Sequence, residues 1–165
     1  NIDAPFIRPK TLSGDNTTTT SVIRHAIKFL EKKKYNFDYV CCVYPPNPFL
    51  KEQDLTRGLK KIKSGKFSFV FSATKFNYPF GRSFFLKNNK IKVSFPYNQL
   101  KKTQNINYLF CDAAHFYWGN KKNWLKYNHV FQKNSSTVLI PNYRYCDIDT
   151  IEDWKRAEIM KRLLN

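Results

Sequence analysis

Apolar and polar residues alternate along the chain in a way that predicts helices and short strands in turn. The helical stretches are residues 18–34 and 50–64, and the apolar runs typical of buried strands are residues 37–44 and 67–73. In each helical stretch the apolar residues recur on one face, as in Leu55, Leu59 and Ile62. Strand and helix in alternation predict an α/β domain with a mostly parallel, covered sheet.

The second half of the chain interrupts this alternation. Residues 83–95 predict a β-hairpin that turns at Asn88 and Asn89. The region 76–111 around it is an excursion from the sheet, and we interpret it as a dimerisation surface or a lid. Further strands are predicted at 113–119 and 137–140, and helices at 123–127 and 150–164. The last helix is predicted to turn Ile151, Trp154, Ala157 and Leu164 toward the core.

Composition narrows the class of protein. At 165 residues, 1–165 is one domain, and 29 Lys and Arg against 12 Asp and Glu give a net charge of +17, which favours an anionic partner. Nucleic acid is not favoured, because the chain has no recognisable nucleic-acid-binding motif. No apolar stretch is long enough to suggest a membrane span. Four cysteines without a C-x-x-C pair are typical of free thiols in a reducing cytoplasm.

Two acids stand close together near the C-terminus, in a chain where acids are scarce. In an extended segment Asp147 and Asp149 share a face, with Cα atoms about 6.6 Å apart, while Ile148 points into the core. Two carboxylates on one face suit Mg²⁺, which takes its other ligands from water and phosphate. The alternative is a helix start, because Thr150 and Asp153 have the spacing of a capping box. The pattern alone favours the helix start.

The beginning of the chain is a long connector. Residues 1–16 predict no regular element, and loops of that length are usually functional or mark a missing neighbour. We therefore expect an N-terminal piece to be absent from this sequence. Because open α/β sheets bind ligands at the carboxyl ends of their strands, the loops after Tyr44 and Ala73 and the segment of Asp147 are the places to look for a site.

Four segments in one order resemble a known family. They are PFIRP with TLSGDNTTTTSVIRHAI, then CCVYPPNPFL, CDAAHFYWG and YRYCDIDTIEDWKRAE. Together they resemble the cytidylyltransferases that activate nonulosonic acids, and most closely the pseudaminic acid branch. The resemblance implies a Rossmann-like nucleotide-diphospho-sugar transferase fold, a homodimer, and CTP and a nonulosonic acid as substrates for surface glycan synthesis. The reaction gives a CMP-sugar and pyrophosphate.

The resemblance also assigns roles to residues. Asp147 and Asp149 match the family's paired metal-binding aspartates, which reverses the preference for a helix start and implies Mg²⁺ at a catalytic site. Arg8 matches an arginine of the family, although a loop-anchoring salt bridge is an equal alternative. The residues that the resemblance assigns to substrate binding are Arg8, Asp15, Thr19, Ser21, Tyr44, Pro45, Asn47, Gln104 and His115.

Four departures from the family pattern put substrate identity, more than the reaction class, in doubt. The family's first strand and its basic, glycine-containing phosphate loop do not occur in these residues. Pro46 and Asn47 replace smaller residues in the loop of residues 44–48, called the proline loop here. Residues 101–106 also differ from the usual family segment. His115 stands where Gln is usual, and hydrogen bonding within the core is the preferred interpretation for it.

Other functions stay open from sequence alone. An Asp-x-Asp glycosyltransferase would also use paired aspartates, but there the motif usually follows an early strand. An inactive truncated remnant and, third, a basic nucleic-acid-binding protein are the remaining alternatives.

Overall fold

The computed structural model describes residues 3–45 and 47–164. Within these residues the helices are α1 (Thr19–Lys32), α2 (Glu52–Lys63), α3 (Lys121–Lys126) and α4 (Ile151–Leu164). The strands are β1 (Tyr39–Val43), β2 (Phe69–Lys75), β3 (Phe84–Lys87), β4 (Lys90–Val93), β5 (Phe110–Asn120) and β6 (Ser136–Leu139). Every helix and strand predicted from the sequence is therefore present, with ends that differ by a few residues. Pro46 of the predicted proline loop lies outside the described residues.

The prediction of a mostly parallel sheet is wrong. The main sheet has the order β1-β5-β2-β6, and β5 runs antiparallel to both of its neighbours, whereas β2 and β6 are parallel. Lys75 at the end of β2 pairs with Phe110 at the start of β5. The excursion between them thus leaves and re-enters the sheet at the same end, which forces β5 to run back beside β2. Apolar content marks a strand as buried but carries no sign of its direction.

The sheet is covered on both faces. Phe69 and Phe71 of β2 face a cluster with Ile23, Ile27, Tyr117 and Trp124, which belongs to the α1 and α3 side. Val70, between them, faces the opposite cluster with Ile62, Phe116 and Val138, on the α2 side. Helix α2 approaches closely because Gly58 has no side chain: a Cβ there would lie 2.7 Å from Trp118 and 2.8 Å from Phe116.

The excursion contains the predicted hairpin. Strands β3 and β4 pair antiparallel from Phe84–Val93 to Lys87–Lys90. Asn88 and Asn89 turn the chain with φ of 51° and 58°, in the left-handed region that asparagine tolerates. Both faces of the hairpin are exposed, including Phe85 and Leu86.

Helix α4 packs differently from the prediction. Ala157 is buried as expected, but Ile151 and Trp154 are 75% and 57% exposed, and Leu164 is exposed as well. The helix contacts the core through Ala157 and Met160, which pack against Phe49 and Cys146. The predicted set of core residues is therefore wrong except for Ala157, because contact with the distant Phe49 decides which residues of the helix are buried.

Candidate active site

Residues 144–149, called the acidic segment here, alternate between more buried and more exposed side chains. Arg144 and Cys146 are buried, and Ile148 packs against the cluster of Phe49 and Ala157. The intervening Asp147 is partly exposed and Asp149 is exposed. Ile148 is thus packed inward, as the spacing predicts, while the shared face of the two carboxylates stays a prediction.

A capping box begins helix α4, and it does not use these two aspartates. The Asp153 backbone N–H donates to Thr150 Oγ1 at 3.2 Å, and Thr150 N–H donates back to Asp153 Oδ2 at 3.1 Å. The Thr150 hydroxyl adds a third bond to Asp153 Oδ2 at 2.7 Å. Among the described residues, the side chains of Asp147 and Asp149 make neither a hydrogen bond nor an ion pair. The helix start thus accounts for Thr150 and Asp153 and leaves two carboxylates unexplained.

A third acid, Asp112, lies near Asp147. Its Oδ1 accepts from the Ala114 backbone N–H at 2.9 Å, and its Oδ2 accepts from the Tyr117 hydroxyl at 2.7 Å. Burial raises the pKa of Asp112 above its ordinary value, the charge of Asp147 raises it further, and the two hydrogen bonds partly offset the rise. Asp112 is not among the site residues predicted from the sequence, although it is the second residue of the segment CDAAHFYWG that contributes to the resemblance.

A bulge in β5 places Asp112 and its neighbours. The pairing of β5 with β2 shifts between Phe71 and Ala73, and Ala114 takes a φ of 52° there. The Ser72 hydroxyl oxygen accepts the His115 N–H at 2.9 Å inside the bulge. The Asn47 side-chain amide donates to the Ala114 carbonyl at 3.0 Å. The loop after β1 is therefore joined to the bulge.

A cavity of about 290 Å³ opens beside this bulge. The hydroxyls of Thr19 and Tyr44 lie 2.7 Å apart on its wall, and the ring of Tyr44 lies 5.3 Å from that of Tyr117. Tyr117 in turn donates to Asp112. Burial and the neighbouring Asp112 carboxylate raise the pKa of Tyr117, so its hydroxyl keeps its proton. Residues from three parts of the chain thus meet in one polar and aromatic wall.

A second cavity, of about 730 Å³, lies between the end of β2, the excursion and the segment before Asp147. Lys75, Arg82 and Asn142 supply polar groups to it, and Cys111 and Tyr145 line it as well. It borders the acidic segment through Tyr145. The acidic segment therefore has open space beside it that is large enough for a small molecule.

The remaining residues predicted for the site are dispersed. Arg8 and Asp15 are exposed in the N-terminal loop, and Pro45 is exposed after β1. Ser21 lies in the first turn of α1, where Thr18 Oγ1 accepts its N–H at 3.3 Å. Gln104 is exposed and borders a cavity of about 450 Å³ beside the excursion. His115 is buried, 1% exposed, and its Nδ1 has no partner in the described part of the chain.

The acidic segment fits a magnesium ion better than a metal that needs an all-protein site. No group of three or more Asp, Glu, His or Cys side chains converges within residues 3–45 and 47–164. Mg²⁺ needs only one or two carboxylates, because water and substrate phosphates complete its shell. Asp147 and Asp149, which the cap leaves without partners, match that requirement.

Comparison with known proteins identifies the family. The chain is 35% identical over 161 residues to "Pseudaminic acid cytidylyltransferase" of Campylobacter jejuni serotype O:2, covering 97% of this chain and 69% of that protein. The relative from serotype O:23/36 bears the same name and is 34% identical over the same coverage. The chain belongs to the pseudaminic acid cytidylyltransferase family. Its named members are nucleotidyltransferases, which sets the glycosyltransferase alternative aside.

A longer relative extends this comparison. A protein of Helicobacter pylori named "Pseudaminic acid cytidylyltransferase and UDP-2,4-diacetamido-2,4,6-trideoxy-beta-L-altropyranose hydrolase" is 30% identical over 151 residues. The match covers 90% of this chain but 29% of that protein. No protein-family model matches the chain. The predicted family is thus confirmed, while the roles of individual residues stay predictions.

Proposed function

We propose that the natural protein containing this chain transfers the cytidylyl group of CTP to the anomeric hydroxyl of a nonulosonic acid of the pseudaminic type. The products are a CMP-sugar and pyrophosphate. The observation that carries the proposal is the match to relatives of that name along 97% of the chain. The segment of Asp147 and Asp149, whose carboxylates have no structural partner among the described residues, supports it.

The acidic segment has a definite task in this reaction. Asp147 and Asp149 would hold Mg²⁺, which supplies positive charge against the triphosphate as pyrophosphate leaves. Asp147 and Asp149 therefore act by placing charge where it develops, the usual way in which such transfers are accelerated. Asp112, near Asp147 and hydrogen-bonded to Tyr117, is a further candidate for contact with the acceptor sugar.

The cavities suggest where substrate groups bind. Thr19, Tyr44 and Tyr117 present hydroxyls and rings that suit a nucleoside or a sugar. Asn47, through its bonds to Tyr44 and Ala114, fixes this wall rather than forming it. Arg8, Asp15 and Gln104 remain proposed substrate contacts on the strength of the resemblance, and their side chains are exposed.

The test is pyrophosphate release by the purified natural protein. We expect release from CTP only when Mg²⁺ and pseudaminic acid are both present, with little from ATP, GTP or UTP. N-acetylneuraminic acid is the matched control sugar. Release without sugar, or a preference for another nucleotide, would contradict the proposal. If the control sugar is used equally well, the reaction class stands and the substrate assignment is wrong.

The 165-residue chain by itself is expected to turn over slowly. The resemblance assigns the grip on the triphosphate to a phosphate loop that does not occur in these residues. We expect the chain to bind CTP at least tenfold more weakly than the natural protein, as measured by calorimetric titration. A tenfold loss of affinity is about 1.4 kcal/mol, the scale of a lost hydrogen bond to a charged group. Equal affinity would show that the loop is not needed, and the absence of any binding by the natural protein would favour an inactive remnant.

A homodimer built on the excursion is also proposed. Phe84, Phe85, Leu86 and Ile91 are between 55% and 68% exposed on the hairpin, and apolar groups clustered in this way usually meet a partner surface. The natural protein should be a dimer by light scattering at micromolar concentration, and Phe85→Lys should make it a monomer. Leu163→Lys is the matched control, since Leu163 is 80% exposed on α4. A wild-type monomer would contradict the proposal.

We also propose a cytoplasmic location. The cysteines Cys41, Cys42, Cys111 and Cys146 are all free thiols, which a reducing compartment favours. Among the helices that the structure describes, none has the length and apolar content to cross a bilayer. Fractionation of the source cells would test the location.

A further inference from the structure

A buried ion pair ties the acidic segment to helix α2, and the proposed chemistry does not use it. Arg144 Nη1 donates to Asp54 Oδ2 at 2.6 Å, and Nη2 donates to Asp54 Oδ1 at 3.2 Å. Arg144 is 6% exposed and Asp54 is 1% exposed. The two-pronged contact fixes both the position and the plane of the guanidinium.

The same arginine also contacts the loop that follows β1. Its Nη1 donates to the Phe49 carbonyl oxygen at 3.2 Å. The Phe49 side chain packs against Cys146 and Ala157, on either side of the two aspartates in the chain. Arg144 itself precedes Asp147 by three residues and shares the inward face with Cys146. The inward residues of the acidic segment are therefore held by α2 and by Phe49, which directly follows the proline loop.

Stability alone is a weak reason for such a pair. Taking two charges out of water costs about as much as their attraction returns, so well-packed apolar residues of similar volume often serve equally well. An apolar pair lacks the two directional hydrogen bonds, or fork, that join the guanidinium to the carboxylate. The two parallel hydrogen bonds fix the guanidinium in place and in plane, and metal-binding or catalytic groups need supporting contacts of this kind to be held within about 0.5 Å.

We propose that Arg144 and Asp54 are positioning residues that set the place of the Asp147 and Asp149 carboxylates relative to the proline loop. The inference rests on the proposed function for its chemistry, but the positioning is a property of the fold. Arg144 acts through the backbone, and it touches neither metal nor substrate. Helix α2, Phe49 and the acidic segment then keep fixed positions relative to one another.

The main test replaces the pair by apolar residues, with Asp54→Leu and Arg144→Met combined in the natural protein. We expect its resistance to urea to stay close to that of the wild type, because no buried charge is left unpaired. Mn²⁺ is the probe for the site, followed by the electron paramagnetic resonance signal of the free ion. The double variant should bind Mn²⁺ at least fivefold more weakly, and Asp147→Asn should show that the probe reports this site.

Kinetics separate positioning from general packing. In the double variant kcat should fall by roughly tenfold to a hundredfold, the scale that misplacement by about 1 Å produces. The KM for CTP should change less than threefold, and the Mg²⁺ concentration for half-maximal rate should rise. Arg57→Met is the matched control: Arg57 Nη2 also contacts Asp54 Oδ1, at 2.5 Å, but its side chain is 56% exposed. It should leave Mn²⁺ affinity and kcat within twofold of the wild type.

A second variant keeps the inference testable if the double variant does not fold. Arg144→Lys retains a positive charge opposite Asp54 but loses the fork. We expect it to fold and to weaken Mn²⁺ binding at least threefold. Wild-type Mn²⁺ affinity and kcat in either folded variant would overturn the inference.

Failure of the inference and failure of the proposed function give different results. A wild-type protein that makes the CMP-sugar, but whose Mn²⁺ binding does not depend on Arg144, refutes the positioning role and leaves the reaction standing. A protein whose Mn²⁺ binding weakens in Arg144→Lys, but which makes no CMP-sugar, refutes the reaction and leaves the positioning role standing.

Discussion

Aspartates in two regions of this basic chain differ in burial and in pairing. Asp54, at the start of α2, is buried and neutralised by Arg144 and Arg57. Asp147 and Asp149 lie on a partly exposed segment and form no ion pair among the described residues. A buried carboxylate of this kind needs its arginine partner, because removing either one leaves an uncompensated charge in the core, whereas two carboxylates without partners repel each other until a cation arrives. Asp54 therefore has the proposed positioning role within the fold, whereas Asp147 and Asp149 are available for chemistry.

The largest effect on stability is expected from removing the charge of Asp54. Asp54→Asn leaves the buried Arg144 without its partner, so we expect the free energy of unfolding to fall by about 3–5 kcal/mol. Urea titration followed by tryptophan fluorescence measures it. Arg57→Met is the control, with an expected loss below about 1 kcal/mol for an exposed pair. A loss below 1 kcal/mol in Asp54→Asn itself would show that the pair is not structural.

Substitution of Asn for Asp147 or for Asp149 should lower turnover rather than stability. Asp147→Asn and Asp149→Asn should each lower kcat by about 10²-fold, or about 2.7 kcal/mol, because a metal ligand is lost. Stability should stay within about 0.5 kcal/mol of the wild type, since no partner is left unpaired. Glu152→Gln removes a nearby exposed acid and should leave turnover unchanged. Near-normal turnover in both variants across Mg²⁺ concentrations would mean that these acids only precede a helix.

Low pH removes the charge of Asp54 without a mutation. Burial raises the pKa of Asp54, but hydrogen bonds from Arg144 and Arg57 lower it by more, so it lies below its ordinary value. A carboxyl with a lowered folded-state pKa stabilises the fold above its unfolded pKa of about 3.9 and loses that contribution as pH falls through the folded value. Stability should therefore decline below about pH 4, by less than Asp54→Asn costs.

The matched variant identifies the source of that decline. Asp54→Leu with Arg144→Met carries no carboxyl at this position, so its stability should depend less on pH below about 4. Urea titrations at several pH values would compare the two proteins. Equal slopes would assign the acid sensitivity to other groups.

The smallest effect is expected from the cap of α4, which follows Asp149 directly in the chain. Thr150→Ala should lower stability by about 1 kcal/mol, the usual cost of a lost N-cap. Turnover should fall far less than in Asp147→Asn, because Thr150 bonds Asp153 rather than either of the two aspartates. A loss of turnover as large as that of Asp147→Asn would join the cap to the chemistry.

The sequence by itself determined the elements and the class of enzyme. Helical and strand periods depend on neighbours a few residues away, so α1, α2, the strands and the turn at Asn88 and Asn89 follow from local pattern. The order of the four quoted segments was enough to predict the family. The inward packing of Ile148, between the two aspartates, also follows from the period of an extended chain.

The tertiary structure alone decided what depends on distant partners. The direction of β5 is set by an excursion that returns to the end of the sheet it left. The buried stripe of α4 is chosen by Phe49, and Asp112 becomes a neighbour of Asp147 through a bulge opposite Ser72. Asp54 and Arg144 are 90 residues apart in the chain, and no local period relates them. Residues so far apart meet only when the core closes, so the physics of packing, rather than local pattern, selects those contacts.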